Sequence, residues 1–398
     1  MKRQTGTVLT AARPGDRRRR TVRGSVALIG ALSLLAATNI SGVSAQDADG
    51  RVFHTTAGPL TEAEVGDVLA HQHMFVEFGA NPPTAFVDAE VEKVYEVIGP
   101  WVEDVRDLGI SVFVDPTPLG VGRRPDIVKA VADRAGLPTM MVTGIYREPF
   151  QPDWVRDASV DEVADFLREE LEVGVGETDV PAGWIKVSQN ATGMTLQERK
   201  VLEAACIVAQ ETGAAIGSHL GEWGGSAGPI ALSVMDALEA YGCPASEQRF
   251  IWIHAGVEAG AEGSKTEVAD VIGVDPGMAY LWEALERGAY LSLDSIGSPF
   301  WGGTYASFDD NIARIQEFVD AGYGDRILIG ADTGWFDPGE PGGFELEEVD
   351  GVWTMVGTFA GDFSQIPEDF VPAMQAAGFS EELVTQLMHD NPWNAYSR

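Results

Sequence analysis

From about residue 50 onward the chain alternates two patterns. Short apolar runs rich in Val, Ile and aromatic residues read as strands. They fall at DVLAH (67–71), ISVFVD (110–115), TMMVTGIY (139–146), GWIKVS (183–188), AAIGSH (214–219), FIWIH (250–254), AYLSLD (289–294) and RILIGAD (326–332). Longer stretches with apolar residues at helical spacing lie between them, such as DAEVEKVYEVIGPWVEDVRDLG, TLQERKVLEAACIVAQETG and FDDNIARIQEFVDAG. Thr195 with Glu198 has the form of a capping box, and Gly213 that of a helix stop. Eight strand–helix units without a break in composition predict a closed parallel (β/α)8 barrel of the α/β class. A doubly wound open sheet is the alternative, but it usually has fewer strands. Residues 51–66 are expected to form an N-terminal hairpin or lid over the barrel bottom. No internal repeat is found.

The first 45 residues break this pattern. They hold eight Lys or Arg, including Arg17 to Arg20, against one acid, Asp16. A hydrophobic stretch from about Ser25 to Ala37 follows, then Val43-Ser44-Ala45, a small-residue cleavage pattern. Residues 1–45 therefore read as an export signal, with an apolar part too short for a membrane span, and residues 46–398 as one barrel domain. Arg19-Arg20-Thr21-Val22 also fits a twin-arginine signal, which suits a protein exported after folding around metal. A general secretory signal or an uncleaved anchor are the alternatives.

The 398 residues are 45% hydrophobic and 22% charged, an ordinary globular balance, with a net charge of −34. Removing the first 45 residues takes away eight bases and one acid and leaves −41. Such a surface repels nucleic acid and anionic membranes, so neither is expected as a partner once the signal is removed. The only cysteines are Cys206, in a helical pattern, and Cys243, before Pro244. Export permits a disulfide between them, but no spacing demands one.

In a barrel of this kind chemistry sits at the C-terminal ends of the strands. Those ends carry His71 and His73 on the first strand, Lys186 on the fourth, His219 on the fifth, His254 on the sixth and Asp332 on the eighth. Four of the six histidines in the chain lie there, which scattered core histidines would not do. On a strand, His71 and His73 project to one face while Gln72 turns away. Alternation likewise turns Lys186 inward among the histidines, with Ile185 and Val187 outward. A buried ammonium beside a metal is penalised by desolvation and by like charge. A neutral amine that captures carbon dioxide as a carbamate removes the conflict and offers two oxygens to two cations. Pairing with Asp115 or Asp294 is the plainer reading of Lys186.

The order H-x-H, I-K-V, single histidines on the next two strands and a late Asp resembles the phosphotriesterase family of the amidohydrolase superfamily, including its lactonase-like members. DPTPLGVGRR, TGIY and DNPWNAYS resemble segments of the same family, so the likeness spans roughly residues 51 to 398. The resemblance implies two divalent metal ions, with zinc expected. His71, His73 and Asp332 would hold the more buried ion, His219 and His254 the more exposed one, and N6-carboxylated Lys186 would bridge them. It implies a metal-bridging hydroxide that cleaves a lactone, another carboxylic ester or a phosphotriester, with Asp332 as catalytic proton carrier. Tyr146 stands where lactonase-like relatives place an aromatic, and Trp335 with Phe336 follows Asp332 on a long loop. Ser295 replaces the larger Arg or His common in relatives, and Gln72 a Glu. Tyr146, Ser295 and Trp335 are the expected substrate contacts, and a homodimer is a family-level expectation.

Two other functions compete. GGSAG, residues 224–228, matches a G-x-S-x-G elbow, so Ser226 with Asp332 and His389 would spell a serine hydrolase. That elbow needs its serine directly on a strand-to-helix turn, and the strand here ends several residues earlier. A phosphotriesterase-like barrel that binds without turnover is the other, although no ligand position is deleted. His54 and His389 match no ligand position, and Trp252 reads as core. Asp115 and Asp294 end the second and seventh strands, where each could support a histidine.

Overall fold

The computed structural model describes residues 50–76, 89–190, 192–220, 227–256, 276–298, 307–333 and 363–398, with the backbone alone at 345–349 and 352–356. The export signal expected over residues 1–45 lies outside the described residues.

All eight expected barrel strands form. Numbered after the two strands of the N-terminal hairpin, they are β3 (Asp67–Leu69), β4 (Ile110–Asp115), β5 (Thr139–Thr143), β6 (Trp184–Ser188), β7 (Ile216–His219), β8 (Ile251–Ile253), β9 (Tyr290–Leu293) and β10 (Ile327–Ile329). They lie side by side in chain order, each parallel to its neighbour. β10 returns to β3 beyond the strand ends. There the Asp332 amide donates to the His71 carbonyl at 3.2 Å and the His73 amide to the Thr333 carbonyl at 2.9 Å. The H-x-H segment is thus the seam of the barrel.

Period-2 alternation divides the apolar residues between two cores. On β6, Trp184 packs inside the barrel with Val112, Val114, Ile251 and Leu328. Ile185 and Val187 face outward into the layer between strands and helices. The helices bear their signals where expected. Thr195 caps Leu196–Thr212 by accepting from the Glu198 amide, and Gly213 ends it at φ 71°.

The N-terminal hairpin, β1 (Phe53–Thr55) with β2 (Gly58–Leu60), closes the barrel bottom. The Thr56 amide donates to the Thr139 carbonyl, at the start of β5, and Val52 exchanges two backbone hydrogen bonds with Arg398. Phe53 meets Trp393 at 4.9 Å between ring centroids, and Trp184 meets Tyr396 at 5.1 Å. All four rings are buried. Cys206 and Cys243, 37 positions apart, are joined by a disulfide with a Cα–Cα distance of 5.9 Å.

Candidate metal centre

The chemistry-bearing residues converge at the opposite mouth, but not all from within strands. β3 ends at Leu69, so His71 and His73 stand in the segment just after it rather than side by side on a strand. Their rings meet edge to face, at 74° and 5.4 Å, which corrects the expectation that they project together from within a strand. Both nevertheless aim at one carboxylate. Asp332 Oδ1 lies 3.5 Å from His71 Nε2 and 3.2 Å from His73 Nε2.

The outer histidines come next. His254 Nε2 is 2.8 Å from His219 Nδ1, and Tyr146 Oη is 3.0 Å from His219 Nε2. His71, His73, His254, Asp332 and Lys186 are all buried, and His219 is half-buried. Neither His254 nor Asp332 has ordinary backbone: their φ angles are 63° and 48°. A residue with a Cβ rarely occupies this left-handed region, and such strain costs about 1–3 kcal/mol and clusters at functional sites.

Each inner ring is held from behind. His73 Nδ1 lies 2.6 Å from Thr117 Oγ1. The Asp115 carboxylate accepts from the Met74 amide at 2.9 Å and the Thr117 amide at 3.0 Å, fixing that loop. Asp294 Oδ2 is 3.3 Å from His71 Nδ1, and Asp294 Oδ1 is 2.8 Å from His254 Nδ1. Gln72 turns away from the cluster, as expected. Its Oε1 accepts from Thr333 N at 3.0 Å and Thr333 Oγ1 at 2.8 Å, which pins the residue after Asp332. Glycine is required at Gly330, where an added Cβ would come within 2.9 Å of His71 Cβ and 3.3 Å of Asp294 Cβ.

Electrostatics suit a cation. Burial lowers the His71 imidazole to about 4, against the pull of Asp294, so it is neutral near pH 7. Burial, with His254 next, also holds His219 well below its ordinary value. Burial alone would raise Asp332, but the adjoining His71 and His73 rings outweigh it and keep the carboxyl well below the usual range. The Lys186 amine is lowered to about 8 by burial, opposed by Asp332, Asp294 and Asp115. A fraction of it is therefore neutral and nucleophilic near pH 7. His71, His254 and Asp332 offer donor atoms all within 4.8 Å of one another. His71 Nε2 is buried with no hydrogen-bond partner. An orphaned nitrogen on the neutral His71 ring, beside an ionised carboxylate, fits a divalent cation.

The remaining expectations divide. Ser295 is buried at 1% exposure, which leaves a substrate little of it to touch. Trp335 and Ser226 lie outside the described residues. His389 Nδ1 lies 2.7 Å from Asp390 Oδ1, and His389 stands near Asp67, the first residue of β3. Asp332 lies past the last residue of β10, at the other end of the barrel, so the serine triad does not assemble. His54 sits in the bottom hairpin. Sequence reasoning did not find Thr117, whose only signal is its place two residues after Asp115.

A model of the phosphotriesterase family matches residues 51–396. A phosphotriesterase homology protein of Mycobacterium tuberculosis is 24% identical over 356 residues, covering 87% of this chain and 98% of that protein. An aryldialkylphosphatase of Saccharolobus solfataricus is 24% identical over 340 residues, covering 85% and 97%. A solved variant of the organophosphorus hydrolase from Deinococcus radiodurans superposes with a TM-score of 0.68 at 23% identity, over 87% of this chain and 96% of that one.

Proposed function

The chain belongs to the phosphotriesterase family, and on that premise we propose that it is a metal-dependent hydrolase with two divalent cations, zinc foremost, at the barrel mouth. The orphaned, buried His71 Nε2 among three convergent donors is the observation that carries this reading. His71, His73 and Asp332 would hold one cation, and His219 and His254 the other. Lys186 would bridge them as a carbamate, formed when its neutral amine adds to carbon dioxide and loses a proton. When bound, the cations would supply an activated water and an electrophile for a carbonyl or phosphoryl oxygen.

The chain's own residues do the rest. Ionised Asp332 accepts the proton of the attacking water at a carboxylate oxygen and passes it outward. Neutral His71 and His219 keep their lone pairs for ligation. Tyr146, with its hydroxyl on His219, forms the wall where the scissile group would lie.

The substrate we favour is a lactone or related carboxylic ester, with phosphotriester hydrolysis as a weaker side activity. All three develop charge on an oxygen beside the outer cation, and exported chemistry meets lactones more often than synthetic phosphotriesters. Export itself is part of the proposal and rests on the basic, then apolar, N-terminal segment. The test compares kcat/KM for an acyl lactone, an aryl ester and an aryl phosphotriester, before and after chelation. Chelation should abolish all turnover, and the lactone should lead. A phosphotriester preferred by more than about tenfold (about 1.4 kcal/mol) would overturn the lactone preference. Full activity without metal would overturn the hydrolase mechanism.

A further inference from the structure

We propose that Asp294 is the positioning residue that couples the two cation sites, because its single carboxylate orients one histidine of each. The inference rests on the two-cation reading above and deepens it. Asp294 follows β9 and is completely buried. Its Oδ2 lies 3.3 Å from His71 Nδ1, and its Oδ1 lies 2.8 Å from His254 Nδ1. An ionised carboxylate only accepts, so each ring gives it the Nδ1 proton and is left with its lone pair on Nε2.

Those two lone pairs reach different places. His71 Nε2 points to Asp332 Oδ1 at 3.5 Å, on the inner side, and His254 Nε2 to His219 Nδ1 at 2.8 Å, on the outer side. Asp294 Oδ2 also accepts the His254 backbone amide at 3.1 Å. The carboxylate therefore braces both the ring of His254 and the left-handed backbone that presents it. Gly330 makes room for this contact, since a side chain there would crowd both His71 and Asp294. His73 is held differently. A neutral hydroxyl, Thr117 Oγ1, serves that one ring at 2.6 Å. Loss of Thr117 should loosen the inner cation only, whereas loss of Asp294 should loosen both.

The test is stepwise zinc affinity of the purified full chain by chelator competition, with total zinc measured by mass spectrometry. The parent should hold two zinc ions. Asp294→Asn should weaken both steps by about tenfold or more, the range found for partners behind metal-bound histidines. Thr117→Val should weaken one step and leave the other at the parent value. Asp294→Asn with either step at parent affinity overturns the coupling and leaves the hydrolase reading intact. A parent that takes up no zinc overturns both. Should Asp294→Asn fail to fold, nitrogen-15 NMR of the histidines in the parent decides: protonated Nδ1 on both His71 and His254 supports the inference, and an Nε2 proton on either overturns it.

Discussion

At the bottom of the barrel Phe53 packs on Trp393 and Trp184 on Tyr396, and Val52 exchanges two backbone hydrogen bonds with Arg398. At the top, the same strands lead into four histidines, a lysine and three buried carboxylates, two of these residues in left-handed backbone. The bottom is stabilised by apolar burial: aromatic side chains remove about 150–250 Å² each from water, at about 25 cal/mol per Å². The top gains little of this. Buried charges there are tolerated because each meets an opposite charge or a hydrogen bond. The comparison teaches that strength and chemistry are segregated along one set of strands, so each end should fail in its own way.

The largest expected effect is at the top. Lys186→Ala should lower kcat by orders of magnitude and cut bound metal, while circular dichroism shows the fold kept. A short carboxylic acid added back should restore part of the rate. Full metal and full rate in this variant would remove Lys186 from the centre.

At the bottom the effect should invert. Trp393→Ala should cost about 3–5 kcal/mol of stability, read as a fall in denaturation midpoint, with two metals still bound per folded chain. Loss of metal in proportion to loss of stability would show that the two ends are not separable.

The smallest effect concerns pH. Burial, with Arg398 next, lowers His54 from 6.5 to about 4. Between those values the unfolded chain takes up a proton that the folded hairpin refuses. The His54 contribution is therefore present above pH 6.5 and is lost as pH falls toward 4. Discounted for partial exposure, it should be about 1 kcal/mol. Relative to the parent, His54→Gln should flatten the stability profile across that window, and parallel profiles would contradict the shift.

The barrel was legible because its strands are buried on both faces and read as continuous apolar runs between amphipathic helices. The clustering of the candidate site was legible because histidines recur where those runs stop. The local geometry was not. β3 stops two residues before His71, since the seam with β10 is made by loop backbone, which has no periodicity to read. The φ angles of His254 and Asp332 are set by bonds to neighbouring strands, as when Asp294 holds the His254 amide. Asp294 and His254 stand 40 positions apart, and only β8 pairing with β9 brings them together. The disulfide was hidden likewise, because a helix and its packing separate Cys206 from Cys243.

The most direct test is a crystal structure of the zinc-loaded chain with anomalous scattering recorded at the metal edge. The account predicts two peaks, one among His71, His73 and Asp332 and one at His219 and His254, with carboxylate density extending from Lys186 Nζ between them. No peak in this cluster, or a single peak beside an unmodified lysine, would contradict it.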